Sequence, residues 1–319
     1  MKILVTGGAG YIGSVIVKKL FNNKHEVIVL DDLSQGHAEA VHPKAVFVQL
    51  NLNNLKDLDE TFKQFKFDAV IHMAAHSLVG ESVEQPKKYF RNNVINGINL
   101  LNIMLKNNCK KIVFSSSAAV YGEPKRNPIK EEDETKPINP YGESKLMFEK
   151  IMAWYSKAYG LNYTSLRYFN AAGCDTDYGE HHDPETHLIP IVIKTALGQK
   201  KEIQVYGTDY PTEDGTCIRD YIHVSDLAEA HILALNKNGI YNMGENECSV
   251  KKIIEIARKI TGEEIPVKEV DRRPGDPAVL IASSEKIKKE FGWEAKHDIK
   301  DIIKSAWQWH KKNPEGYKE

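Results

Sequence analysis

Cysteine is scarce in this chain: four residues in 319, Cys109, Cys174, Cys217 and Cys248, far apart and forming no Cys-x-x-Cys. That argues against a disulfide framework or a cysteine zinc site, and predicts reduced thiols in a cytoplasm. An excess of one charge sign is missing too. Lys and Arg number 43 against 44 Asp and Glu, a formal net charge of −1, so nothing points to a nucleic-acid surface or an anionic membrane. No apolar run is long enough to span a bilayer, and no signal peptide precedes the strand-like Lys2-Ile3-Leu4-Val5. Internal repeats and low-complexity tails are likewise absent. What remains is 41% hydrophobic and 27% charged residues, the composition of a soluble globular protein with one large domain or two lobes about a cleft.

Short apolar runs alternate with helical patterns through the first half. Strands are predicted at Lys2–Thr6, Glu26–Leu30, Ala45–Leu50, Ala69–Met73, Lys111–Ser115 and Tyr163–Tyr168. Leu55, Leu58, Phe62 and Phe65 recur at helical spacing, as do Tyr89, Asn93, Asn96, Leu100 and Ile103, and a further helix is predicted over Tyr141–Tyr159. The alternation implies right-handed βαβ units and an α/β, Rossmann-type doubly wound parallel sheet. Past a Gly/Asp/Pro-rich break, Gly173–Pro190, the pattern is less regular. Helices are expected at Ser225–Asn236, Ser249–Thr261, Ser284–Phe291 and Asp298–Lys311, with short strands at Ile240–Met243 and Val267–Val270. We therefore expect a dinucleotide-binding domain over 1–170 and a smaller C-terminal α/β substrate lobe over 171–319, part of which, 216–244, packs back on the first.

Three features carry chemistry. Thr6-Gly7-Gly8-Ala9-Gly10-Tyr11-Ile12-Gly13 follows the first strand and opens a helix, where glycines let backbone approach a pyrophosphate and free N–H groups face it. The second strand ends in Asp31-Asp32. An acid there accepts hydrogen bonds from the adenosine ribose and repels a 2′-phosphate, which favours NAD over NADP. Tyr141 and Lys145 lie four residues apart, one turn on a helix, and Ser117 follows the strand Lys111–Ser115. A free tyrosine titrates near ~10, and a neighbouring ammonium favours its phenolate. Taken alone, the Tyr-x-x-x-Lys spacing also fits a solvated helix face.

The glycine motif together with Ser117, Tyr141 and Lys145 resembles the extended short-chain dehydrogenases/reductases. Within them, Val79–Val83, Ser115–Gly122, Asn139–Lys145, Arg167–Asn170, Asp209–Thr216, Arg219–Val224 and Arg272–Asp276 resemble the UDP-glucose 4-epimerases, over essentially the whole chain. The resemblance implies that Tyr141 takes the proton of the sugar 4-hydroxyl while NAD takes the hydride. Lys145 would lower the Tyr141 pKa and Ser117 would bond the 4-oxygen; the 4-ketone then turns over and is reduced on its other face. It implies a cofactor site of Gly7, Gly10, Tyr11, Ile12, Gly13, Asp31, Asp32, Leu33, Asn51, Leu52, Met73, Ala74, Ala75, Asn92, Ser115, Tyr141, Lys145 and Tyr168. The substrate site it implies is Ser117, Tyr141, Asn170, His187, Leu188, Tyr206, Arg219, Tyr221, Arg273 and Asp276. It further implies a homodimer joined through helices near Tyr89–Lys106 and Tyr141–Tyr159.

Some positions depart from the pattern. Asn51 stands where an aspartate often faces adenine, Ser77 where some members carry a lysine, and Leu280 at a position thought to limit the sugar's C2 substituent. That leaves UDP-N-acetylhexosamine, UDP-pentose or UDP-uronate as alternative substrates. Ala118-Ala119 replaces the Asp-Glu pair of the related 4,6-dehydratases, which disfavours dehydration. A non-catalytic NAD-sensing protein is a more remote alternative, since it has no use for the Ser117, Tyr141 and Lys145 set. Glu180, His181, His182, Asp183, Glu185 and His187 resemble a metal cluster in sequence, but we expect a polar loop at the nucleotide pocket and no metal, because this chemistry needs none.

Overall fold

The computed structural model describes residues 1–273 and 275–318; Pro274, inside the expected Arg272–Asp276 segment, lies outside the described residues. Strands β1 (Lys2–Thr6), β2 (Glu26–Asp31), β3 (Val46–Gln49), β4 (Ala69–His72), β5 (Lys111–Ser115) and β6 (Asn162–Tyr168) fall where the apolar runs predict them. The later strands are β7 (Asn170–Ala172), β8 (Ile203–Tyr206), β9 (Ile218–His223), β10 (Gly239–Met243), β11 (Asn246–Ser249), β12 (Val267–Val270) and β13 (Val279–Leu280). The main sheet has seven strands in the order β10-β6-β5-β4-β1-β2-β3, all parallel.

Strand alternation sorts the core onto two faces. Ile3 and Val5 of β1 join Val29, Ile71 and Val113 on the face covered by helices Tyr11–Asn22 and Val224–Ala234. Leu4 joins Ile28, Val70, Ile112 and Phe114 on the face covered by helices Leu55–Phe65, Asn96–Lys106 and Pro140–Tyr159. Both faces are covered, which is why these strands read as continuous apolar runs rather than alternating ones. Helix Pro140–Tyr159 is fixed at both ends: the Asn139 side chain accepts from Gly142 N–H at 2.8 Å, Pro140 takes the first turn, and Gly160 closes it at φ +70°.

The chain does not stay on one side of residue 170. After β9, helix Val224–Ala234 packs on helix Tyr11–Asn22, and β10 becomes the edge of the main sheet beside β6. The rest forms a second core, with Ile189, Ile193, Ile253, Ile254, Ile302, Ile303 and Trp309 drawn from helices Leu188–Ala196, Val250–Thr261 and Ile299–Lys312. A smaller sheet, β11-β9-β13 with β7 beside β9, borders it, and β8 pairs with β12. Among the described residues, no helix is long and apolar enough to cross a membrane.

Two differences from the sequence reading have local causes. Helix Leu188–Ala196 begins inside the Gly/Asp/Pro-rich stretch Gly173–Pro190 that was taken as a break, and it contains Pro190. That proline occupies the first turn, where its missing N–H has no helical partner anyway. The single helix expected around Tyr89–Ile103 is instead Pro86–Tyr89, a π-helical turn Phe90–Ile95, and α-helix Asn96–Lys106. The wide turn aims Asn93 inward: it accepts from His76 N–H at 2.9 Å and donates to His76 O and Ser144 Oγ at 3.0 Å each.

Candidate active site

The carboxyl ends of β1, β4 and β5 converge beside the N-terminus of helix Tyr11–Asn22. That helix begins at Gly10 with no side-chain cap and no acid in its first turn. Its first N–H groups and partial positive charge are thus left for an anion. The turn admits no bulk: a Cβ on Gly13 would sit 2.1 Å from Gly7 O. These features fit a dinucleotide pyrophosphate. Tyr11, first in the helix, turns its hydroxyl to Gly173 O, tying the turn to the segment after β7.

Asp31 is buried at the end of β2, where burial raises its carboxyl pKa while hydrogen bonds from Ala9 N–H (3.0 Å) and Leu33 N–H (2.9 Å) pull it down. Leu33 contributes that N–H from a left-handed conformation, φ +58°. Asp32 accepts from Ser34 and from the Asn51 amide; these bonds outweigh burial and hold its carboxyl low. So Asn51, where an acid was the familiar residue, is oriented by Asp32. Leu52 commits its side chain to the core with Leu4 and Phe62, leaving only its backbone for a ligand. Met73 and Ala74 bond Thr6 O through their N–H groups, Ala75 follows them, and Asn92 bonds its neighbours Asn93 and Asn96.

Ser117, Tyr141 and Lys145 come together as a buried cluster, which removes the solvated-face reading: Lys145 is 3% exposed and Tyr141 and Ser117 are 9%. The start of helix Pro140–Tyr159 is pressed on the turn after Ser117 so closely that a Cβ on Gly142 would lie 2.4 Å from Ala119 O. Lys145 Nζ donates to Ser115 O at 2.8 Å and lies 5.8 Å from the Tyr141 ring centre. Burial pushes Lys145 down to about 7 despite the nearby Glu149. Burial also pushes Tyr141 up, with the Ser117 hydroxyl pulling the other way. Ser117 Oγ meanwhile accepts from Ala119 N–H at 3.1 Å. The expected depression of Tyr141 by Lys145 is therefore not a property of the protein alone, because burial dominates both groups.

Several residues that shape this site were not singled out from sequence. Glu149, one turn beyond Lys145, is 3% exposed and holds Arg167 through bonds of 2.5 and 3.0 Å while accepting from Ser116 Oγ at 2.6 Å. Arg167 continues to Tyr121 Oη at 2.8 Å, and Tyr121 to Asn242 Oδ1 at 2.7 Å. Buried His231 donates from Nδ1 to Leu227 O at 2.9 Å, so its Nε2 accepts from Ser115 Oγ at 3.1 Å, and that hydroxyl lies 3.2 Å from Tyr168 Oη. Its place four residues after Lys145, on the Tyr141 face, was the one available signal for Glu149.

The expected substrate residues line the neighbouring small sheet. Arg219 and Tyr221 alternate on β9, and Asn170 on β7 is registered against Tyr221 and bonds Asp220 O at 2.8 Å. Arg219 reaches Ile218 O, Pro277 O and, at 3.4 Å, Asp276. The Arg273 guanidinium stacks 3.8 Å from the Tyr206 ring centre. Arg273, Gly275 and Asp276 border a cleft of ≈ 500 Å³ with Glu123 and Pro124. Leu188 opens helix Leu188–Ala196 and His187 precedes it. Leu280, on β13, is partly buried against the cluster of Val120, Tyr121, Ile129 and Leu146.

Residues 3–244 match the model of the NAD dependent epimerase/dehydratase family. The chain belongs to this family. A UDP-glucose 4-epimerase of Halalkalibacterium halodurans is 52% identical, covering 99% of this chain and 98% of its own. A crystal structure of a UDP-glucose 4-epimerase superposes with TM-score 0.98 at 47% identity over 100% of both chains. A Bifidobacterium longum UDP-glucose 4-epimerase solved with NAD+ and UDP matches with TM-score 0.94 at 38% identity, covering 99% of this chain and 100% of that one.

Proposed function

We propose that this epimerase interconverts UDP-glucose and UDP-galactose by transient oxidation at C4, with tightly held NAD recycled in each turnover. The observation that carries the reading is the buried Ser117, Tyr141 and Lys145 cluster beside an uncapped helix N-terminus, in a chain of this family. Bound NAD would supply the hydride acceptor and one positive charge. The protein's part is to move a proton at Tyr141 Oη, to hold the sugar 4-oxygen near Ser117 Oγ, and to keep water from both through burial. C4 carries no acidic hydrogen, so deprotonation alone cannot invert it; removal and return of a hydride can. Tyr141 then acts as base in one direction and acid in the other.

Arg219 and Arg273 are the cationic forks suited to a diphosphate, and Asp276 the acceptor suited to ribose hydroxyls. Ala118 and Ala119 in the turn after Ser117 leave no acid–base pair for dehydration. Leu280, partly buried against Val120, Tyr121, Ile129 and Leu146, is the residue we take to limit a C2 substituent, which would favour unsubstituted hexoses over N-acetylated ones. The test is to incubate the purified protein, without added NAD, with UDP-galactose and separately with UDP-N-acetylgalactosamine. Formation of UDP-glucose faster than of the N-acetylated product is expected. C4 inversion that requires added NAD, or none at all, would sink the proposal.

We further propose a homodimer in the reducing cytoplasm; the four cysteines are buried and unpaired. Ile95 (54% exposed), Met147 (37%) and Trp154 (68%) leave apolar surface on the two helical segments expected to join subunits. Met147 and Trp154 are two turns apart on one face. Replacing Trp154 by glutamate is expected to convert the dimer to a monomer in light scattering, and an unchanged mass would count against this surface.

A further inference from the structure

The segment between β7 and helix Leu188–Ala196 folds four side chains onto one point. One ring nitrogen each of His182 and His187 and one carboxylate oxygen each of Glu180 and Glu185 all lie within 4.8 Å of one another. Glu180 Oε1 is 2.7 Å from His187 Nδ1 and 3.4 Å from His182 Nδ1. Glu185 lies 3.6 Å from His182 Nδ1 through Oε2 and 3.3 Å from His187 Nδ1 through Oε1. A tetrahedral zinc with N and O ligands at ~2.0–2.2 Å has ligand–ligand edges of ~3.3–3.6 Å. The two separations at His182 Nδ1, to Glu180 Oε1 and to Glu185 Oε2, fall in that range.

A second observation concerns hydrogen bonding. His182 Nδ1 and Glu185 Oε2 are buried and make no well-formed hydrogen bond, facing each other at 3.6 Å, although the Glu185 side chain is only 3% exposed. In a plain ion-pair cluster the imidazole N–H would point along a carboxylate lone pair, and neither atom would be left over. Glu185 is also held in a set orientation. Its Oε1 accepts from Thr186 and His187 N–H at 2.8 Å each, which leaves Oε2 as the inward oxygen. Backbone bonds that orient a carboxylate in this way are the usual support of a metal ligand.

We propose that Glu180, His182, Glu185 and His187 form a divalent transition-metal site, with zinc as the ion it suits best, and that the ion is structural. Two imidazoles and two carboxylates match zinc in charge and ligand type, and four protein ligands close the shell against a catalytic water. The site goes against the metal-free polar loop expected from sequence, where nothing showed that the four side chains converge. It anchors two elements of the candidate active site. His187 immediately precedes helix Leu188–Ala196, and the His182 ring lies edge-on to Tyr11, first residue of the dinucleotide helix, at 6.3 Å. With Nδ1 on the metal, His187 keeps its Nε2–H in one fixed tautomer as a donor.

The test is metal analysis of untagged protein, grown with zinc and passed through chelator-treated buffer, by plasma mass spectrometry. About one zinc per chain is expected, and replacement by cobalt should give the intense visible bands of a four-coordinate site. The Glu185→Gln/His182→Gln double variant should lose the metal and retain bound NAD, read by absorbance. Absence of metal from the wild type, equal metal in the double variant, or the weak bands of six-coordinate cobalt would each overturn the proposal. The cobalt spectrum of the wild type decides the matter even if the double variant does not fold. None of these readouts depends on epimerase activity.

Discussion

Replacing Tyr141 by phenylalanine is expected to lower turnover by about 10²–10⁴-fold, the range for removal of a positioned acid–base group, while NAD stays bound. The substitution deletes one oxygen from a side chain that is 9% exposed, so helix Pro140–Tyr159 and the cofactor turn should survive it. The size of the loss follows from the environment. Burial raises the Tyr141 pKa, so the phenol is a poor base in the protein alone. It becomes a useful one only with positive charge nearby, from Lys145 and from the bound nicotinamide. The sign of the pH dependence follows. Lys145→Met removes a cation, raises the Tyr141 pKa further and should move the acid limb of kcat/KM to higher pH. In the wild type the charge of Lys145 itself is lost as pH rises through about 7 in the cofactor-free protein, because burial disfavours the ammonium. Unchanged turnover in Tyr141→Phe, measured by C4 inversion of UDP-galactose, would refute the assigned role.

The elements that the sequence announced are those buried on both sides or capped by side chains. β1, β2, β4 and β5 are continuous apolar runs because helices cover both faces of the sheet, and Asp298, which opens the last predicted helix, closes a capping box with Asp301. Tyr141, Lys145 and Ser117 were legible because their roles fit one another at a strand end and a helix start. What was hidden depends on pairings distant in sequence. β9, Ile-Arg-Asp-Tyr-Ile-His, lacks a clean alternation because its polar side chains are held by partners distant in sequence: Arg219 by Pro277 O, Asp220 by Asn246 and Ala282 N–H, and His223 by Ser305. β10 lies in the 216–244 stretch expected to pack back on the first domain, but its place as the edge strand beside β6 rests on a register that no local pattern gives. Convergence of Glu180, His182, Glu185 and His187 is set by a loop path that no periodicity encodes. Glu149 looked like one more charge on a helix that also carries Glu143, Lys150 and Lys157.

Glu149 is where the largest stability effect is expected. Its side chain is 2% exposed and that of Arg167 4%, and the two are joined by bonds of 2.5 and 3.0 Å. Removal of one member of a buried pair costs about 3–5 kcal/mol, because the remaining charge is left without a partner in a medium that solvates it poorly. Glu149→Ala should therefore lower the melting temperature by roughly 6–10 °C, scaling from about 2 °C per kcal/mol for a chain of this size. Arg167→Met should cost a similar amount, since it strands the carboxylate and takes the donor from Tyr121. The double variant Glu149→Met/Arg167→Met buries no charge and should be more stable than either single variant, a non-additivity that a pair of independent contacts would not show. The loss should reach the reaction as well as the fold. Glu149 bonds Ser116, next to Ser117, and stands one turn from Lys145, while Arg167 leads through Tyr121 to Asn242 on the edge strand β10. The pair thus joins the turn that carries Ser117, the helix that carries Tyr141 and Lys145, and two strands of the main sheet. In the double variant, where stability largely returns, kcat should stay depressed with KM nearly unchanged, because Ser116 has lost its acceptor and the Ser117 turn its register. Denaturant melts and steady-state kinetics on the three variants separate the two effects: additive destabilisation would remove the charge-pair argument, and full recovery of kcat with stability would limit Glu149 and Arg167 to holding the fold.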